Sequence, residues 1–153
     1  MVEHRASIAW SLADGDFLHG RYSRAHTWRF DGGLTVAASP APSVYPPPLS
    51  DPAAIDPEEA FVAAIASCHM MSFLHVAAKA GIAVERYDDD AVGTLAKDAE
   101  GRRWIERVRL KPRVVYRDAV PSADLERELH AQAHDVCFIA NSVRSEVIIA
   151  PTT

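Results

Sequence analysis

Cysteine is scarce in this chain: 153 residues carry only Cys68 and Cys137, too few to staple a small secreted fold. Basic charge is not in excess either. Sixteen Lys and Arg stand against 21 Asp and Glu, for a net charge of −5, which disfavours binding to a phosphate backbone. No Cys-x-x-Cys pair and no Gly-x-Ser-x-Gly elbow occurs, so common zinc and serine-hydrolase signatures are missing. The first residues, with Glu3, His4 and Arg5, lack the apolar run and cleavage site of a secretory signal. A cytoplasmic location is therefore expected. Charge is wholly absent between Ala60 and Ala78. That stretch is long enough to span a bilayer, but Ser67, Cys68, His69, Ser72 and His75 punctuate it. Such an alanine-rich segment fits a core helix better than a membrane span.

With 48% hydrophobic and 24% charged residues, the composition is that of an ordinary globular protein. The length suits one domain, residues 1–153. Ser7 to Leu12 alternates weakly, and Tyr22, Arg24, His26, Trp28 and Phe30 share one face of a strand. Asp31-Gly32-Gly33 supplies a hairpin turn, and Leu34 to Ala37 returns. Between Pro40 and Pro57 lie seven of the ten prolines. This segment can be neither central strand nor helix; it is a long, stiff loop, either a surface spacer or, with Tyr45, an apolar wall beside a site.

Asp56-Pro57-Glu58-Glu59 predicts a capped helix start, and Gly81 ends the helix after Lys79. Apolar nearly all round, this helix must be surrounded, by a sheet or by a second subunit. Strands follow at Val92–Ala96 and Trp104–Tyr116, then a helix from Ser122 or Ala123 to about Cys137, then a strand from Val143 to Ile149. The order predicts an α+β fold with mostly antiparallel strands. The stripe Arg107, Arg109, Lys111, Arg113 and Arg117 reads as the wet face of a strand rather than a nucleic-acid surface.

Cys68 falls mid-helix. A cysteine there is either inert packing or, if a positive charge is brought to it, a nucleophile. Arg24 and Arg21 are the candidate cations, and Glu58 is the natural carboxylate to fix a guanidinium. Glu58 and Cys68 are ten residues apart, about 15 Å along one helix. An arginine held by Glu58 of the same chain would struggle to reach Cys68, so one site made of all three draws on a second subunit. If the two helices pack, Cys68 and Cys137 could meet, and a second sulfur would trap a sulfenic acid before further oxidation. A competing arrangement sets His130, His134 and Cys137 on one helix face with Cys68-His69 completing a metal cluster.

Taken together, Asp56-Pro57-Glu58-Glu59-Ala60, Ala66-Ser67-Cys68-His69-Met70 and Ala133-His134-Asp135-Val136-Cys137 with Ser142 beyond resemble the OsmC/Ohr family of thiol peroxidases. Tyr22-Ser23-Arg24-Ala25-His26, leading to Phe30-Asp31-Gly32-Gly33, is similar to the family's early arginine strand; Gly20-Arg21 resembles the glycine-arginine pair of other members. Phe138 stands where many members have proline. The resemblance implies a sheet wrapped around a long buried central helix, in an intertwined homodimer with sites at the subunit interface. It implies Cys68 as the peroxidatic thiolate, Cys137 as the resolving cysteine, and Glu58 with Arg24 (or Arg21) as orienting residues. Organic hydroperoxides are the implied substrates, hydrogen peroxide a further one, and a dithiol such as a lipoyl protein the reductant. No metal or nucleotide cofactor is implied. The alternative is a metal- or small-ligand-binding stress protein on the same fold, without turnover.

Overall fold

The computed structural model describes residues 1–152. The chain divides into two compact units, Met1–Ala60 and Phe61 onward, with the boundary inside the first helix. In the first unit, β1 (Ala6–Ala9), β2 (His26–Phe30) and β3 (Thr35–Ala38) form an antiparallel sheet in the order β1-β2-β3. The predicted turn after β2 is present: Gly33 donates its N–H to the Phe30 carbonyl at 3.0 Å with φ +88°, a conformation that costs glycine little. Half-buried Tyr22, Arg24, His26 and Trp28 alternate with exposed residues between them, as the period of two requires.

The proline-rich loop is tied down rather than free. Ser39 and Ile55 exchange backbone bonds with the partner segment, Ser39 N–H to Ile55 C=O at 3.0 Å and Ile55 N–H to Ala37 C=O at 3.1 Å. The Ser39 hydroxyl accepts from Asp51 N–H at 2.8 Å.

Helix α1 (Pro57–Lys79) starts with the capping box expected of its sequence. Glu59 N–H donates to Asp56 Oδ1 at 2.7 Å and Asp56 N–H to Glu59 Oε2 at 3.2 Å. It ends where Gly81 adopts φ +74° and Ile82 N–H reaches back to Ala77 C=O at 2.9 Å, a glycine-terminated C-cap.

The second unit contains β4 (Val84–Asp89), β5 (Val92–Lys97), β6 (Arg103–Leu110), β7 (Pro112–Tyr116), α2 (Ala123–Val136) and β8 (Glu146–Ile149). Two sheets result: antiparallel β4-β7, and β5-β6-β8 in which β8 runs parallel to β6. The α+β class and mostly antiparallel pairing are as expected. The single strand expected over Trp104–Tyr116 is two strands in different sheets. Buried Pro112 interrupts it, because proline cannot donate to a ladder and is confined to strand starts and edges. β4 is additional to the expected elements.

Both sheets pack on α1. Phe73, Val76 and Ala77 form one core with Leu129 and Ala133 of α2, lined by Tyr87, Val114 and Tyr116. Ile65 forms another with Val108 and Leu110. The chain covers one side of α1, burying Ile65, Cys68, His69, Phe73, Val76 and Ala77. Met71 and Leu74 stay 58% and 38% exposed. The helix is long and apolar enough to cross a membrane, but its buried stripe carries the core of the second unit. The second unit thus covers α1 on one side, and a second subunit remains the other way to cover it.

Candidate active site

Cys68 occupies the buried stripe of α1, 8% exposed, and Cys137 is fully buried as the C-cap of α2. Both are reduced. The packing of α2 on α1 through Leu129 and Ala133 closes the 69-residue separation and brings the two thiols near enough to influence each other. The turn after α2 fixes the second sulfur: Cys137 N–H donates to His134 C=O at 3.2 Å, and Ala140 N–H donates to Cys137 Sγ at 3.5 Å. Burial, and then the neighbouring Cys68, push the Cys137 thiol up to about 11, against the pull of the Ala140 and Ile139 N–H groups. Cys137 is thus held as a thiol.

Cys68 opens onto a cleft of about 820 Å³ between α1 and the end of α2. Met71, Val76, Val136 and Phe138 give it an apolar lining, and His75, Lys79 and Asp135 stand on its margin. Phe138, directly after Cys137, is 81% exposed. An apolar cleft with a nucleophile at its wall and few polar groups is the general form of a site for a small, largely apolar molecule.

In the first unit the two candidate arginines have different surroundings. Arg21 is exposed and committed to Asp16, its Nη2 donating to Oδ2 at 2.9 Å; this contact holds the Asp16 carboxyl below its usual range. Arg24 is half-buried and has no carboxylate within ion-pair distance among the described residues. Its guanidinium lies between two rings, 4.2 Å from the centroid of Tyr22 and 3.9 Å from that of Tyr45. Its Nη1 donates to Tyr22 C=O at 3.1 Å and more weakly to Gly20 C=O at 3.4 Å. Glu58, in the first turn of α1, forms no ion pair with either arginine. Within the chain, the expected Glu58–arginine contact is not made.

Two histidines of the competing metal arrangement are bonded to each other. His69 Nε2 and His130 Nδ1 are hydrogen-bonded at 3.0 Å, both residues almost fully buried, with Phe73 stacked on the His130 ring at 4.2 Å. Burial pushes both imidazoles down to about 4, so the pair is neutral at physiological pH. Among the described residues no group of three or more His, Cys, Asp or Glu is gathered to hold a metal. The sequence grouped His130 with His134 and Cys137 and brought Cys68-His69 to that cluster; the structure joins His130 to His69 by a direct hydrogen bond. The basic stripe is partly neutralised, with Arg107 paired to Glu146 and Arg113 to Asp90.

The family model described as OsmC-like protein matches residues 50–151. An OsmC-like protein of unknown function from Vibrio cholerae is 47% identical, with 99% of this chain and 100% of that one covered and a TM-score of 0.94. More distant chains share the fold. An organic hydroperoxide resistance protein from Elizabethkingia anophelis is 16% identical over 100% and 97% of the two chains, with a TM-score of 0.76. One from Bacillus subtilis is 20% identical over 99% and 98%, with a TM-score of 0.71. No curated protein matches the chain.

Proposed function

Because the chain belongs to the OsmC/Ohr family through its OsmC-like domain, we propose that it is a cysteine-based peroxidase acting on organic hydroperoxides. The observation that carries this reading is the pairing of Cys68 and Cys137: two neighbouring free thiols, one opening on an apolar cleft and the other fully enclosed. The hydroperoxide resistance proteins that share the fold support the substrate class.

In this reading the Cys68 thiolate attacks the distal peroxide oxygen. The O–O bond breaks, Cys68 becomes a sulfenic acid, and the departing alkoxide takes up a proton to leave as an alcohol. Cys137 then attacks the Cys68 sulfur, forming the disulfide and releasing water. An external dithiol, such as a lipoyl group, reduces the disulfide by exchange and is itself oxidised. Arg24 stabilises the Cys68 thiolate and the charge developing on the leaving oxygen, and Glu58 orients the guanidinium. Arg24 is preferred over Arg21 because Arg21 is already held by Asp16. No metal takes part. Free cysteines as a working pair need a reducing compartment, which supports a cytoplasmic location.

The site requires two subunits. Glu58 and Cys68 are separated by about 15 Å of helix, and the uncovered side of α1, with Met71 and Leu74 exposed, supplies an apolar face for a second copy. We therefore place Arg24 and Glu58 of one subunit beside Cys68 of the other.

The test is peroxide consumption with a dithiol reductant. Cys68→Ser is expected to abolish turnover. Cys137→Ser is expected to consume about one equivalent per subunit and then turn over poorly, because the sulfenic acid has no internal thiol to condense with and must wait for the external one. Normal multiple turnover by Cys68→Ser would sink the reading.

A further inference from the structure

We infer that Tyr45, carried by the proline-rich loop, is a positioning residue that sets the plane of the Arg24 guanidinium for the anion it serves. This rests on the reading of Arg24 as the charge-stabilising group of the peroxidase.

Both faces of the guanidinium are occupied, by Tyr22 at 4.2 Å and Tyr45 at 3.9 Å. A cation between two π faces is attracted by both quadrupoles and loses its freedom to rotate out of their common plane. Nη1 is spent on the Tyr22 carbonyl, and the Gly20 carbonyl takes weak bonds at 3.4 Å from both Nη1 and Nη2. These are neutral acceptors, so the positive charge is not cancelled. The sandwich thus leaves a fixed, uncompensated cation whose remaining in-plane N–H donors are the open approach for an anion. A fixed donor aimed at developing charge costs no reorganisation when that charge appears.

The two rings reach Arg24 differently. Tyr22 is a near neighbour in sequence, and its other side stacks on Phe17, the ring centroids 4.9 Å apart. Tyr45 comes from the loop, and the loop is pinned to the arginine itself: Arg24 N–H donates to Leu49 C=O at 3.0 Å. Tyr45 N–H donates to Ala41 C=O at 3.1 Å, closing the turn that presents the ring. Proline at 46, 47 and 48 restricts the chain between these anchors, so the loop holds a ring in place at low entropic cost.

The experiment is a double-mutant cycle on the full-length protein, reading kcat and KM for tert-butyl hydroperoxide with dithiothreitol. Tyr45→Leu is expected to lower kcat and kcat/KM together, by about threefold to tenfold, the range of a partly exposed cation–π contact. Tyr45→Phe keeps the ring face and is expected to stay within about twofold of wild type. In an Arg24→Gln background, Tyr45→Leu is expected to add nothing, since its effect passes through the guanidinium. Tyr45→Gln replaces Tyr45→Leu if the leucine variant does not fold. Wild-type kinetics in Tyr45→Leu, or an undiminished loss in the Arg24→Gln background, overturns the inference while leaving the peroxidase reading intact. A wild-type protein that consumes no peroxide, or an Arg24→Gln variant as active as wild type, overturns the premise about the site and the inference with it.

Discussion

The two cysteines are neighbours, but what surrounds each sulfur differs. Cys137 is fully enclosed and pushed up to about 11 by burial and by Cys68, whereas Cys68 has the cleft in front of it. A small alkylating reagent at neutral pH is therefore expected to label Cys68 well before Cys137, read by peptide mass spectrometry; equal labelling would contradict the assignment. Histidines 69 and 130 make a second residue-scale prediction. Both are held near 4 in the folded protein, against about 6.5 for a free imidazole. The unfolded chain therefore binds protons between those values that the native chain does not. Their contribution to stability is complete above about pH 6.5 and is lost as pH falls toward about 4. Urea midpoints should fall across that window, and less steeply in His130→Leu, which has one such histidine fewer. The candidate site residues Cys68, Cys137 and Glu58 were legible in the sequence because they sit in recognisable local contexts. The choice between Arg24 and Arg21 was not. It depends on Asp16 holding Arg21 and on two tyrosines flanking Arg24, and the second of those tyrosines lies 21 residues from the arginine across a loop.

At the scale of elements, local signals did best where a single short-range rule decides the outcome. The Asp56–Glu59 capping box and the Gly81 terminator mark the ends of α1 as the sequence implies. Strand reading was weaker. Alternation ran through Pro112 as if the ladder continued, although Pro112, two residues after Leu110, begins a strand in the other sheet. β4 escaped notice because its acidic residues, Asp88 and Asp89, look like a loop; Asp89 in fact accepts Lys111 N–H at 2.7 Å, tying β4 to the β6–β7 junction. Gly93, inside β5, shows what a glycine in a strand can signify. A Cβ there would lie 2.6 Å from Val62 Cγ2 of α1, so its absence lets the sheet approach the helix. Valine on a helix has one strongly preferred rotamer and cannot easily turn aside. Gly93→Ala is expected to cost about 1–3 kcal/mol, the usual range for overpacking a core, seen as a lower thermal midpoint. Adding Val62→Ala should recover part of the loss, because the two changes share one contact.

The whole molecule poses a problem that one chain does not solve. A 23-residue helix with no charge over its central turns is covered on one side, with Met71 and Leu74 left in water. Exposed apolar area of this kind is characteristic of an interface, and a second copy related by a two-fold axis would present the same face in return. Light scattering at micromolar concentration should give about twice 16.7 kDa, and Met71→Glu, which puts a carboxylate into that face, should shift the mass toward one chain. Mass alone does not say whether the site is shared, but complementation does. Arg24→Gln, slowed but measurable as a homodimer, and Cys68→Ser, inactive as a homodimer, are mixed under conditions that exchange subunits. If Arg24 serves Cys68 of the other subunit, each heterodimer has one site with both defects and one with neither. Activity then rises toward about a quarter of the wild-type rate at full random exchange. If Arg24 and Cys68 of the same chain work together, every site in the heterodimer carries one defect and mixing restores nothing. The outcome therefore decides between a site built within one chain and a site built between two.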